Sequence, residues 1–127
     1  MTYGVDTLSF HDVLEICKNP KLIQLSEQSK LQIIKSQQNV AQIVASDRTV
    51  YGINTGFGPL CDTKISEEET SLLQYNLIVS HAVGVGKPID KDISKIMMIA
   101  KIHALSKGFS GVSLDVIERM QLMLESD

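Results

Sequence analysis

A chain of 127 residues holds enough material for one domain with a single core, and 43% hydrophobic against 21% charged residues excludes intrinsic disorder. Its net charge of -3 is spread along the sequence without a basic stripe, which excludes a phosphate-neutralising, nucleic-acid-binding surface. No stretch approaches the about 20 apolar residues of a membrane span, and "MTYGVDTLSFHD" lacks the basic start and apolar run of a signal peptide.

Helix signals recur in chain order. Ser9, with an acid three residues on at Asp12, opens a short helix that ends near Asn19 and Pro20. Ser26 starts a longer one, running to about Asp47, in which Leu31, Ile34, Ala41 and Val44 share a face at helical spacing. "SEEE" at Ser66 to Glu69 is a capping box, since the serine can accept from the Glu69 amide while the glutamate reaches back. The helix behind it carries Leu72, Leu73, Leu77 and Ile78 to about Ala82. Asp90 caps a fourth helix whose inner face would hold Ile93, Ile96, Met97, Ala100 and Ala104, with Gly108 as a left-handed stop. A last helix begins near Ser113 and aligns Val116, Ile117, Met120 and Met123 or Leu124. Only "RTVYGI", Arg48 to Ile53, has the β-branched character of an extended piece. The reading is a mainly α single domain over 1–127 with one glycine-rich loop and at most a short extended piece.

Cys17 and Cys61 are far apart and form neither C-x-x-C nor a dense framework, which points to reduced thiols in a cytoplasmic protein. No histidine pair has metal-ligand spacing, so no metal is expected; His11 and His103 carry no further signal. The glycines Gly52, Gly56 and Gly58 do not follow G-x-G-x-x-G, and "GVGKP" at Gly84 to Pro88 has proline where a nucleotide loop needs Ser or Thr. Nucleotide binding is therefore not expected.

"YGINTGFGP", Tyr51 to Pro59, has more glycine than chain reversal requires. A tyrosine on such a loop can be delivered to a pocket as a base if its pKa falls from about 10, or it can simply pack its ring. His81, before a second glycine pair, reads either as a helix-end residue or as a site residue.

Three blocks, "VYGINTGFG" at Val50 to Gly58, "LQYNLIVSHAVGVG" at Leu73 to Gly86 and "LSKGFSGVSLDVIERM" at Leu105 to Met120, together resemble the N-terminal part of the aromatic amino acid ammonia-lyases. The resemblance extends more weakly from about Ser9 to Leu124 and implies the N-terminal helical segment of the fumarase/aspartase-like helical fold. It implies a carbon–nitrogen lyase that removes ammonia from an aromatic amino acid, using a methylidene-imidazolone (MIO) electrophile made from an internal Ala-Ser-Gly. Tyr51 then matches the family's general base, and Gly52, Asn54, Thr55, Gly56, Phe57 and Gly58 form a mobile loop around it, whose glycines permit opening and closing. Ser80 and His81 match the residues facing the substrate side chain. Family members acting on histidine carry Ser-His there, so L-histidine to urocanate, in histidine catabolism, is the implied reaction. Val79 departs from the pattern, standing where many relatives have arginine.

The Ala-Ser-Gly is not among these residues, so MIO cannot form in them, and the family's chains are several times longer. The expectation is a truncated chain, or a short product that has lost the chemistry, inactive alone and part of a homo-oligomer, the family's tetramer, when complete. A non-catalytic interaction module, a small-ligand binding domain, and a segment of a phenylalanine or tyrosine ammonia-lyase or aminomutase remain alternatives.

Overall fold

The structure, a computed structural model, describes residues 1–46, 48–55 and 65–126. Among the described residues, five α-helices and one 3₁₀ turn follow in order: α1 (Phe10–Lys18), the turn (Pro20–Leu22), α2 (Glu27–Val44), α3 (Glu67–His81), α4 (Lys91–Leu105) and α5 (Leu114–Ser126). No strand forms among the described residues; Thr2 and Gln24 make an isolated parallel bridge. The mainly helical architecture expected from the sequence is thus observed. The chain divides into two compact units, Met1–Gln38 with Pro88–Asp127, and Asn39–Lys87.

The helix starts lie where their caps were read. Ser9 Oγ accepts from the Asp12 amide at 3.2 Å while the Asp12 carboxylate accepts from Ser9 N at 2.8 Å. The Ser9 hydroxyl, donating to the carboxylate at 2.6 Å, and then the Ser9 amide hold the Asp12 carboxyl below the usual carboxylate range. Ser66 and Glu69 form the same box at α3, with bonds of 3.2 and 3.3 Å. Ser26 Oγ accepts from the Ser29 amide at α2, and Asp90 from the Asp92 amide at α4. Gly108, at φ +72°, is the left-handed stop after α4, and a Cβ on it would lie 2.9 Å from the Gln32 carbonyl.

In the first unit α1 packs on α4 and α4 on α5. Their shared core is Tyr3, Ile16, Cys17, Ile23, Ile33, Ile99, Ile102, Ile117 and Leu124. Tyr3 enters it from the N-terminal segment, its amide donating to Gln24 O at 2.9 Å and its carbonyl accepting from Ser29 Oγ at 3.0 Å. Gly4 then runs so close to the end of α4 that a Cβ would sit 2.5 Å from Ser106 O. No helix signal marked this segment in the sequence. The Tyr3 hydroxyl is buried without a hydrogen-bond partner, and burial, with the negative charge of Glu125, pushes its pKa up to about 12.

Two helix faces differ from expectation. On α2 the buried residues are Ser29 and Ile33; of the expected face Ile34 and Val44 are half-buried, whereas Leu31 is 67% exposed and Ala41 is exposed. The seam follows small polar residues: Ser29 bonds Tyr3, and Ser36 Oγ accepts from the Gly111 amide at 3.0 Å. Apolar periodicity does not register such a seam. On α4 the buried pair is Ile99 and Ile102, with Ile96 half-buried, while Ile93, Met97, Ala100 and Ala104 are exposed. That helix carries two apolar stripes, and periodicity alone does not say which faces the core. On α5, Ile117 and Leu124 are buried as expected, with Val116 and Met123 exposed.

In the second unit, the described side chains of α3 are all exposed except Leu73 and Leu77, which are half-buried. Leu72, Tyr75, Ile78 and Val79 present a broad apolar surface.

Candidate active site

Residues 48–55 form no strand. The chain leaves α2 and closes a turn in which the amides of Ile53 and Asn54 donate to Val50 O at 3.1 and 3.3 Å. The β-branched run is overridden by Gly52, at φ +77°, and by Asn54, whose carboxamide can bond the backbone locally. Asn54 Oδ1 accepts from the Val50 amide and Nδ2 donates to Arg48 O, each at 2.8 Å. Thr55 Oγ1 accepts from the Gly52 amide at 3.3 Å. Asn54 and Thr55 are both 3% exposed, whereas Tyr51, between them and α2, is 66% exposed. Tyr51 is therefore displayed from the turn and is not a core packing residue. Gly56, Phe57 and Gly58 lie outside the described residues.

Nothing lies within 4 Å of a Cβ built on Gly52, so this glycine serves its backbone angle and no close approach. A polar groove of about 380 Å³, lined by Asn39, Gln42, Ile43, Ser46 and Arg48, opens beside the start of the turn.

Ser80 and His81 occupy the last turn of α3, both exposed. Ser80 Oγ donates to Leu77 O at 3.0 Å, and His81 Nδ1 lies 2.9 Å from the same carbonyl and 3.0 Å from Ser80 Oγ. A carbonyl only accepts, so Nδ1 carries a proton in this arrangement, and Nε2 is the ring nitrogen left for a further partner. The ring of His81 bonds within its own helix among the described residues, and its carbonyl accepts from the Val83 amide at 2.8 Å. The described candidate residues thus fall in two places, the turn around Tyr51 and the end of α3.

These residues do not fit the family's electrophile. The chain's one Ser-Gly pair, Ser110–Gly111, follows Phe109 in place of alanine, and the Gly111 amide is engaged by Ser36 Oγ. Among the described residues, no group of His, Cys, Asp and Glu is arranged to hold a metal, and no helix is long and apolar enough to cross a membrane.

Comparison with known proteins identifies the framework. A family model described as aromatic amino acid lyase matches residues 8–127. The histidine ammonia-lyase of Alkaliphilus oremlandii is 40% identical over 119 residues, 94% of this chain and 24% of the relative. That of Yersinia enterocolitica is 41% identical over 120 residues, again 94% and 24%. Tyrosine aminomutase from Streptomyces globisporus superposes with a TM-score of 0.86 at 25% identity, over 98% of this chain and 24% of that one. Histidine ammonia-lyase from Trypanosoma cruzi superposes at 0.83 with 27% identity, over 98% and 24%. The chain spans about a quarter of the length of these relatives. With its helical framework and nearly all of its length matched, the chain belongs to the aromatic amino acid lyase family.

Proposed function

We propose that residues 1–127 are the N-terminal part of a histidine ammonia-lyase, which converts L-histidine to urocanate and ammonia without oxidation. The observation that carries this reading is the end of α3, where the Leu77 carbonyl fixes the His81 tautomer and leaves Nε2 to accept the imidazole N–H of a histidine substrate. Ser80 Oγ stands beside it as a second polar partner. A phenyl ring offers nothing to either group, which favours an imidazole substrate. The identity of about 40% to histidine ammonia-lyases supports the same choice.

In this reading Tyr51, as phenolate, takes the proton from the β-carbon. The C–H electrons become the new α,β double bond, and the electrons of the α-carbon–nitrogen bond leave with the amine as ammonia. Exposure of Tyr51 on a turn suits a base presented to a substrate. The MIO group would supply the electrophile for amine departure and must come from residues other than these. We read the complete enzyme as a cytoplasmic homo-oligomer, a reading that the free Cys17 thiol and the exposed apolar faces of α3 and α4 support.

Those exposed faces also favour a second reading, an interaction module that docks on lyase chains without turning over substrate. Urocanate formation from L-histidine separates the two. The 127-residue chain is expected to form none, whereas a complete lyase beginning with this sequence is expected to form it. Turnover by the short chain, or preference of the complete enzyme for phenylalanine or tyrosine, overturns the assignment.

A further inference from the structure

Asn54 makes the most extensive contacts beneath the turn that carries Tyr51. Asn54 is 3% exposed and engages the backbone through four groups. Its Oδ1 accepts from the Val50 amide and its Nδ2 donates to Arg48 O, each at 2.8 Å. Its own amide donates to Val50 O at 3.3 Å, and its carbonyl accepts from Ile65 N at 3.1 Å. The Gly52 amide, on the other side of Tyr51, is bonded by Thr55 Oγ1. Both neighbours of Tyr51 are thus tied by side chains that lie beneath the turn, while the tyrosine itself is exposed.

We propose that Asn54 is a positioning residue for Tyr51: its carboxamide fixes the backbone from which the phenol projects. This rests on the reading of Tyr51 as the base. The glycine at 52 supplies the left-handed angle, but glycine alone leaves the chain free to adopt others. A carboxamide has a donor and an acceptor side by side, so it can bridge an N–H and a C=O separated by one residue, as here at Val50 and Arg48. Alanine keeps neither arm. Aspartate keeps the acceptor for Val50 but sets a negative charge against the Arg48 carbonyl.

Two measurements test this. In the 127-residue chain, Asn54→Ala is expected to speed amide hydrogen exchange at Val50 and Gly52 by about tenfold or more, leaving α4 and α5 amides unchanged. Asn54→Asp, which keeps one arm, should fall between Asn54→Ala and the parent. Unchanged exchange at Val50 in Asn54→Ala overturns the proposal. In a complete lyase carrying this sequence, Asn54→Ala is expected to lower kcat by between about tenfold and a hundredfold with KM little changed. That loss should disappear in a Tyr51→Phe background, because a residue acting through the phenol has nothing left to position. If Tyr51→Phe is impaired and the Asn54→Ala loss adds to it undiminished, Asn54 does not act through Tyr51. If Tyr51→Phe turns over normally, the base assignment fails and the proposal with it.

Discussion

The Gly4 amide donates to Nδ1 of His103 at 3.3 Å, tying the N-terminal segment to the last turn of α4 across 99 residues of sequence. Nδ1 must be unprotonated to accept, and partial burial, then the charge of Lys107, lower the His103 pKa below its ordinary value, against an opposing effect of Asp6. A lowered histidine pKa means that the unfolded chain binds its proton first. Stability should therefore be full above about pH 6.5 and fall as the pH drops through that value toward the lower folded one. Urea midpoints from pH 8 to 5 check this, with His103→Gln, an acceptor that does not titrate, expected to flatten the decline.

Two left-handed glycines should respond differently to alanine. Gly4→Ala meets both an unfavourable φ of +77° and the Ser106 carbonyl at 2.5 Å, so a loss of more than about 2 kcal/mol is expected. Gly52→Ala meets the same angle with open space around it, so its cost should be near the about 1 kcal/mol of the angle itself. Equal losses in denaturant unfolding would contradict the close approach at Gly4.

The buried hydroxyl of Tyr3 has no partner, and an unsatisfied group of that kind costs free energy that its removal recovers. Tyr3→Phe keeps the ring in the core and is expected to leave stability unchanged or raise it by about 1 kcal/mol. A clear loss in the urea midpoint would mean that the hydroxyl is bonded in solution.

If Tyr51 is the base proposed above, Tyr51→Phe in a complete lyase removes only the phenol oxygen, and kcat should fall by about a hundredfold or more with little change in KM. His81→Leu leaves the base in place but removes the imidazole acceptor, so it should weaken histidine use and relax discrimination toward phenylalanine and tyrosine. Steady-state kinetics on the three amino acids decide both roles.

The exposed stripe of Ile93 and Met97 on α4, with Leu72, Tyr75 and Ile78 on α3, leaves much apolar area in water. The isolated chain is expected to self-associate at tens of micromolar in sedimentation velocity. Ile93→Glu with Met97→Glu, both at sites more than half exposed, should reduce it without lowering helix content.

How far the sequence could be read depended on what kind of bond held each part. Helix starts were legible because Ser9, Ser66 and Asp90 act within one turn of themselves, and His81 lies at a helix end, one of the two readings its place in the sequence allowed. The buried face of α2 was not legible, because its seam is polar and depends on Tyr3 and Gly111, distant in sequence. The α4 face was ambiguous because Ile99 and Ile102 alternate with an equally apolar stripe. The turn at 51–55 was hidden by β-branched neighbours, and only the pairing of Gly52 with Asn54 could have marked it.

α3 has a complete capping box at its start, and among its described side chains Leu73 and Leu77 are half-buried and the rest exposed. Its order therefore comes from local terms that accumulate turn by turn, with little contribution from an all-or-none core. Heating should fray it gradually from the His81 end, a sloping loss of ellipticity that precedes the cooperative step of α1, α4 and α5. The segment bearing Ser80 and His81 would then be the first part of the chain to lose its helix, and it would gain cooperativity when other helices cover it.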